Sequence, residues 1–229
     1  MAKSKKNSNY VTEKTVAAKE KKAEEKLNAK KAKTIKLWAI WGGSAVAFIA
    51  LIVVILVLSG AFDYNPHVTD HATVTFSDGS SFHIDLYGED APKTVNNFIA
   101  LCEKNYFNNM DLHTFANAML TMGAEKADDG KFGLVGEFEN NGIQNKIPMK
   151  KGTLVLARGE GYNSGYGQFF ILSKKMPSLE GDYAAFGRLS DPSMIKEILS
   201  KCTVGDDGTI ISGPKIQSIT THSETEHAH

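Results

Sequence analysis

The sequence predicts a mainly β domain, plugged by two helices and carried behind one transmembrane helix. Three observations predict it. Residues 37–62 form an unbroken uncharged run. Downstream, short segments alternate apolar and polar side chains, the period of a half-buried strand. Two segments with helical spacing, one early and one late, punctuate those strands. A β-barrel or sandwich fits that order, and roughly 150 residues are enough for one domain with a full-sized core.

The run from Leu37 to Phe62 holds 26 residues. As a helix it would span about 39 Å, more than the roughly 30 Å hydrocarbon core of a bilayer. Trp38 and Trp41 stand at its first edge and Tyr64 just past its last, where interfacial aromatics collect. The alternative is a cleaved signal peptide, whose apolar core runs about 7–15 residues before a small-residue cleavage site. Ser59-Gly60-Ala61 is a weak match to such a site and this run is longer, so an uncleaved anchor is expected.

Residues 1–36 carry twelve Lys against four Glu, a net of +8, and the remainder carries 14 basic against 22 acidic residues, a net of −8. The overall zero is a sum of opposite halves. Lysine-rich flanks stay on the cytoplasmic side. The prediction is therefore a single-pass cell-membrane protein with a cytoplasmic N-terminus and an extracytoplasmic C-terminal domain. The tail has too few large apolar residues to fold alone. Ala17–Lys33 has good helix formers and could continue into the span as a solvated helix. Its lysines suit anionic lipid, at about 1 kcal/mol each near the surface. Nucleic acid is not an expected partner, since no aromatic interleaving accompanies the charge.

After a linker (63–69), the domain is expected over 70–223, with a polar tail at 224–229. His71–Phe76 and Ser81–Tyr87 alternate around the turn signal Asp78-Gly79, a hairpin. Asp90 is a candidate helix cap and Pro92 suits the first turn. Val95, Phe98, Ile99 and Cys102 then fall on one helical face. Further strands are expected at 153–158, 168–172, 184–189 and 215–220, with a second helix over 192–201.

Cys102 reads as a small buried hydrophobe and Cys202 as the end of the second helix. Of seven histidines, His222, His227 and His229 fall in the polar tail. No HExxH, CxxC, phosphate-loop or Gly-x-Ser-x-Gly pattern occurs, so metal, redox, nucleotide and serine-hydrolase signatures are absent from the sequence.

Four stretches in order carry a resemblance. They are Asp90–Cys102, Gly136-Glu137-Phe138 with Asn141-Gly142 and then Lys151–Arg158, Gln168–Ile171, and Phe186-Gly187. Together they resemble the cyclophilin-type peptidyl-prolyl cis-trans isomerases, over about Asp70–Ser223. The resemblance implies a closed eight-stranded antiparallel β-barrel capped by two helices. It also implies rotation about an Xaa-Pro amide, whose uncatalysed barrier is about 18–20 kcal/mol. In the family an arginine bonds the prolyl nitrogen as the amide twists, an electrostatic stabilisation of the transition state. No cofactor or metal is implied.

Carried over residue by residue, the family's Phe-His-Arg falls on Leu112-His113-Thr114. His113 matches, and Thr114 replaces the catalytic arginine. The pocket phenylalanine and methionine fall on Met119 and Leu120, and the first active-site glutamine on Met122. Gln168, Phe170, Ala157 and Leu179 match, Tyr183 takes the last pocket position, and Ser178 stands where a rim tryptophan is common. The resemblance thus implies a catalytic set of His113, Gln168 and Arg158, with Arg158 as a substitute guanidinium. It implies a substrate pocket of Met119, Leu120, Met122, Ala157, Phe170, Leu179 and Tyr183. Threonine is short and neutral where the family has a rigid charged fork. Turnover reduced on the order of 10²–10³ is expected.

Two functions follow as expectations. One is a membrane-tethered isomerase and folding assistant acting on proline-containing segments of exported proteins. The other is a non-catalytic module that binds proline-containing peptides or another membrane complex.

Overall fold

The computed structural model describes residues 21–36, 48–55, 64–124 and 133–224. The chain divides into two units, residues 1–62 and 63–229. In the first, residues 21–36 are helical and exposed throughout, and residues 48–55 form a helical stretch whose apolar side chains are exposed. Among the described residues no helix is long and apolar enough to cross a membrane. Apart from 48–55, the span expected over 37–62 lies outside the described residues.

The second unit runs β1 (Asp70–Phe76), β2 (Ser81–Leu86), α1 (Pro92–Glu103), β3 (Leu112–Ala116), β4 (Met119–Met122), β5 (Thr153–Leu156), β6 (Phe169–Leu172), β7 (Ala185–Leu189), α2 (Met194–Ser200), β8 (Thr203–Val204), β9 (Ile210–Ser212) and β10 (Ile216–Ser223). Eight strands make one sheet in the order β10-β1-β2-β7-β5-β6-β4-β3, and β8 and β9 pair separately. Every strand pairing in both sheets is antiparallel.

The expected closed barrel does not form: the sheet is a half-barrel with β10 and β3 at its ends. β3 is five residues long, loses register with β4 between Leu112 and Thr114, and makes no ladder with the eight-residue β10. Two backbone bonds hold the ends near each other instead, from Asn109 N–H to the Ile216 carbonyl (2.7 Å) and from Ile216 N–H to the Met110 carbonyl (2.9 Å). The β3 edge is then met by the β8–β9 hairpin. Thr114 bridges Thr209, and Phe115 N–H donates to the Gly208 carbonyl at 2.7 Å. Such cover blunts an exposed edge.

The β1–β2 hairpin and both helices form where expected, within a few residues. The cap of α1 does not. Ala91, not Asp90, occupies the N-cap position, and Asp90 instead accepts a hydrogen bond from the Tyr64 hydroxyl at 3.2 Å. The orphan amides of the first turn are met from far along the chain. Glu137, 1% exposed, accepts from Lys93 N–H (2.9 Å), Thr94 N–H (2.8 Å) and the Thr94 hydroxyl (2.7 Å). A helix start leaves several N–H groups unpaired, and a carboxylate is their best acceptor.

The inner face of the half-barrel holds the main core. Phe98 on α1 packs its ring 5.4–5.6 Å from those of Phe107, Phe169 and Phe186. Cys102 lies in this core, and both cysteines are free thiols. A second apolar cluster covers the other face around Tyr87, Ile147, Met149, Val155, Phe170, Leu172 and Ala185. His222 is not in a loose tail: it belongs to β10, opposite His71, while His227 and His229 lie outside the described residues.

Candidate substrate groove

The pleat of β4 decides which residues can meet a ligand. Successive side chains of a strand point to opposite faces. Leu120 and Met122 are 1% and 0% exposed and belong to the main core. Met119 and Thr121 are half-buried and face the other way. The expected places of Leu120 and Met122 in the pocket are therefore corrected. Successive residues of β4 face opposite ways, so the outward position opposite Thr114 belongs to Thr121.

The ladders turn this into a row. Thr114 pairs with Thr121, Thr121 with Phe170, Phe170 with Val155, and Val155 with Ala185. Met119 pairs with Leu172 one step along. Phe170, Val155, Leu172 and Ala185 form the buried floor of the second cluster, and Met119, Ala157, Met176, Leu179 and Tyr183 pack partly exposed against it. Five residues expected in the pocket (Met119, Ala157, Phe170, Leu179, Tyr183) thus share one apolar surface. Thr121, Val155, Leu172, Met176 and Ala185 join them. Sequence alone could have found the first three, since they lie two residues from, or adjacent in strand order to, positions already singled out.

A second row lies at the end of the strands. His113 Nε2 is hydrogen-bonded to the Gly123 carbonyl, with the ring N–H donating because a carbonyl only accepts. Gly123 has φ +81°, and a Cβ there would stand 2.1 Å from the Gly167 carbonyl oxygen. Only glycine fits. Ala157 N–H donates to the Gln168 carbonyl at 2.9 Å, so His113, Gly123, Gln168 and Ala157 lie in sequence across the sheet. Gln168 precedes Phe170 by two and so shares its face. His113 also lines a cavity of about 320 Å³ between β3 and β9, together with Asp111 and Ile211.

Arg158 is held at the far end. Its Nε donates to the Asp182 carbonyl (2.9 Å) and its Nη1 to the Gly159 carbonyl (3.0 Å). The guanidinium lies 4.7 Å from the Tyr183 ring centre, 5.2 Å from Tyr162 and 5.4 Å from Phe138. Strands β5, β6, β4 and β3 are successive neighbours. At about 4.8 Å per strand, Arg158 sits roughly 14 Å along the sheet from Thr114. With Nε and Nη1 engaged, the guanidinium does not stand in the place that the family's arginine would take at Thr114.

Among the described residues no three His, Cys, Asp or Glu side chains gather as metal ligands. What the arrangement offers chemically is an apolar surface for a ring, hydroxyls at one end, an amide at Gln168 and a fixed cation at the other end.

Comparison with known proteins places this geometry. The cyclophilin type peptidyl-prolyl cis-trans isomerase family matches residues 71–221. Peptidyl-prolyl cis-trans isomerase 10 of Caenorhabditis elegans is 29% identical over 159 residues, covering 68% of this chain and 95% of the relative. A peptidyl-prolyl cis-trans isomerase of Helicobacter pylori is 25% identical over 138 residues, covering 60% and 83%. Among solved structures, a cyclophilin type isomerase of Cryptosporidium parvum, crystallised in the presence of the dipeptide Ala-Pro, superposes with a TM-score of 0.58 at 22% identity. That match covers 67% of this chain and 99% of the other.

Proposed function

Since the chain belongs to the cyclophilin-type peptidyl-prolyl cis-trans isomerases, we propose that its groove binds proline-containing segments and isomerises them slowly. The single observation that carries this reading is the row from Thr114 to Ala185. With Met119, Leu179 and Tyr183 packed on the same apolar cluster as Phe170, it keeps a seat for a proline ring, and it ends on a threonine instead of an arginine. Desolvation on an apolar floor lowers the planar amide's advantage, because charge separation is greater in the planar state. Gln168 orients the peptide backbone, and His113 holds the Gly123 carbonyl and with it the end of β4. Without a charged donor at the prolyl nitrogen, the rate falls on the order of 10²–10³ below that of a full site.

The protein is proposed to work tethered to the cell membrane, its domain outside and its lysine-rich tail inside against anionic lipid. The support is the uncharged run 37–62 and the +8 of residues 1–36 against the −8 of the remainder. Its clients would be exported chains, whose folding can wait tens of seconds on proline isomerisation. A second reading, a module that binds without turnover and docks on another membrane complex, is favoured by the threonines Thr114 and Thr121, partners across the β3–β4 ladder, where a catalytic cation would act.

NMR exchange on a short Xaa-Pro peptide with the full chain tests both. Cis/trans exchange that Phe170→Ala abolishes supports the isomerase. Peptide binding without exchange supports the module. Absence of any binding overturns both readings.

A further inference from the structure

We infer that Arg158 is a carboxylate receptor at the Tyr183 end of the groove, selecting proline segments that carry an acidic side chain near the proline. This rests on the groove reading above and adds a substrate class to it. The groups that hold Arg158 are neutral. Its hydrogen bonds go to the backbone carbonyls of Asp182, Gly159 and Glu160, and its faces lie on the rings of Tyr183, Tyr162 and Phe138. Among the described residues no carboxylate pairs with it. Of the two acidic residues whose carbonyls it bonds, Asp182 commits Oδ1 to the Asn140 amide at 2.8 Å, and Glu160 offers its backbone.

Two other cations of the domain do pair with carboxylates, Lys201 with Asp78 at 2.9 Å and Lys215 with Asp111 at 3.2 Å. A guanidinium that is half-buried, fixed in one orientation and left without a counter-anion is prepared to take one. Nη2 makes no hydrogen bond to the described residues, which leaves its N–H donors unused by them. The position is also right. The Arg158 guanidinium lies 4.7 Å from the ring centre of Tyr183, and Tyr183 stands edge-on to Phe170 with ring centres 5.9 Å apart. A carboxylate one or two residues from a proline seated over Phe170 lies within reach of a side chain at that distance. Because the aromatic cage and carbonyls hold the fork beforehand, little rotamer entropy is lost on binding.

The test uses the full chain and two matched pairs of Xaa-Pro peptides, with Glu or Gln placed two residues before or two residues after the proline. Affinities come from NMR titration at low and high salt. The wild type should bind one Glu peptide about five- to tenfold more tightly than its Gln partner, with the preference shrinking at high salt. Arg158→Gln should level the pair, and Arg158→Lys, which keeps the charge without the fork, should keep only part of the preference. Equal binding of Glu and Gln peptides by the wild type overturns the assignment while leaving the groove reading intact. So does a preference that survives in Arg158→Gln. Binding of none of the peptides overturns the groove reading as well.

Discussion

Thr114 faces Thr121 across the β3–β4 ladder, and the next ladder sets Thr121 against Phe170. Two hydroxyls therefore stand on the same sheet face as the apolar floor, at the end where the family's mechanism places a guanidinium.

Restoring that guanidinium is the first prediction. Thr114→Arg should raise the exchange rate of a short Xaa-Pro peptide at least tenfold, read by NMR exchange spectroscopy. The backbone position lies in one row with Phe170, with Thr121 between them, and a charged donor at a developing lone pair contributes several kcal/mol in such sites. An unchanged rate with unchanged peptide affinity would show that more than this residue limits turnover.

The pleat of β4 makes a second prediction. Leu120→Ala should cost about 2–5 kcal/mol of folding stability by leaving a cavity in the main core. Met119→Ala should cost less and should weaken peptide binding instead, because Met119 is partly exposed on the groove face. Denaturant unfolding and peptide titration on both variants separate the two. Loss of binding in Leu120→Ala at full stability would contradict the assignment of faces.

Glu137→Ala should destabilise the domain by about 1–3 kcal/mol or more, since two backbone amides and the Thr94 hydroxyl lose their acceptor in a buried setting. Glu137→Gln keeps an acceptor oxygen and should recover part of the loss. The check is the midpoint of urea unfolding for the three proteins.

Alkaline pH should unfold the protein early. Burial raises the Tyr87 phenol to about 12 and the Cys102 thiol to about 12, above their ordinary values near 10 and 9. Both groups hold their protons longer when folded, so stability is full below pH 9 and falls as pH rises from about 9 to 12. Tyr87→Phe should flatten the part of that fall between pH 10 and 12 in a stability-versus-pH series. At pH 8 the Cys102 thiol should resist alkylation in the native state and react on unfolding.

The β3–β4 turn stores a small strain. Asn117 and Ala118 have φ of +51° and +66°, the left-handed region that suits asparagine and glycine but costs an alanine about 1 kcal/mol. Ala118→Gly should therefore leave stability unchanged or raise it by up to about 1 kcal/mol, read as the unfolding midpoint, despite the added freedom of glycine when unfolded.

The sequence by itself determined the elements that rest on local pattern. Alternation around Asp78-Gly79 specified the first hairpin, and the spacing of Val95, Phe98 and Cys102 specified the buried side of α1. Strands β5, β6, β7 and β10 were legible for the same reason, whereas Phe170, Ala157, Leu179 and Tyr183 were singled out only by the resemblance to the family. The β3–β4 hairpin was not, because its turn reads Asn117-Ala118 and lacks the glycine that marks such turns.

Only the tertiary structure decided the rest, and in each case the deciding partner lies far along the chain. The α1 cap comes from Glu137, 43 residues beyond Thr94, because no local side chain meets those amides. The sheet ends at β3 without a ladder to β10, and the turn of the β8–β9 hairpin meets that edge at Thr114 and Phe115. The pocket keeps Met119 and excludes Leu120 and Met122 because strand pairing sets which way the pleat faces, and a shift of one residue exchanges the two sides.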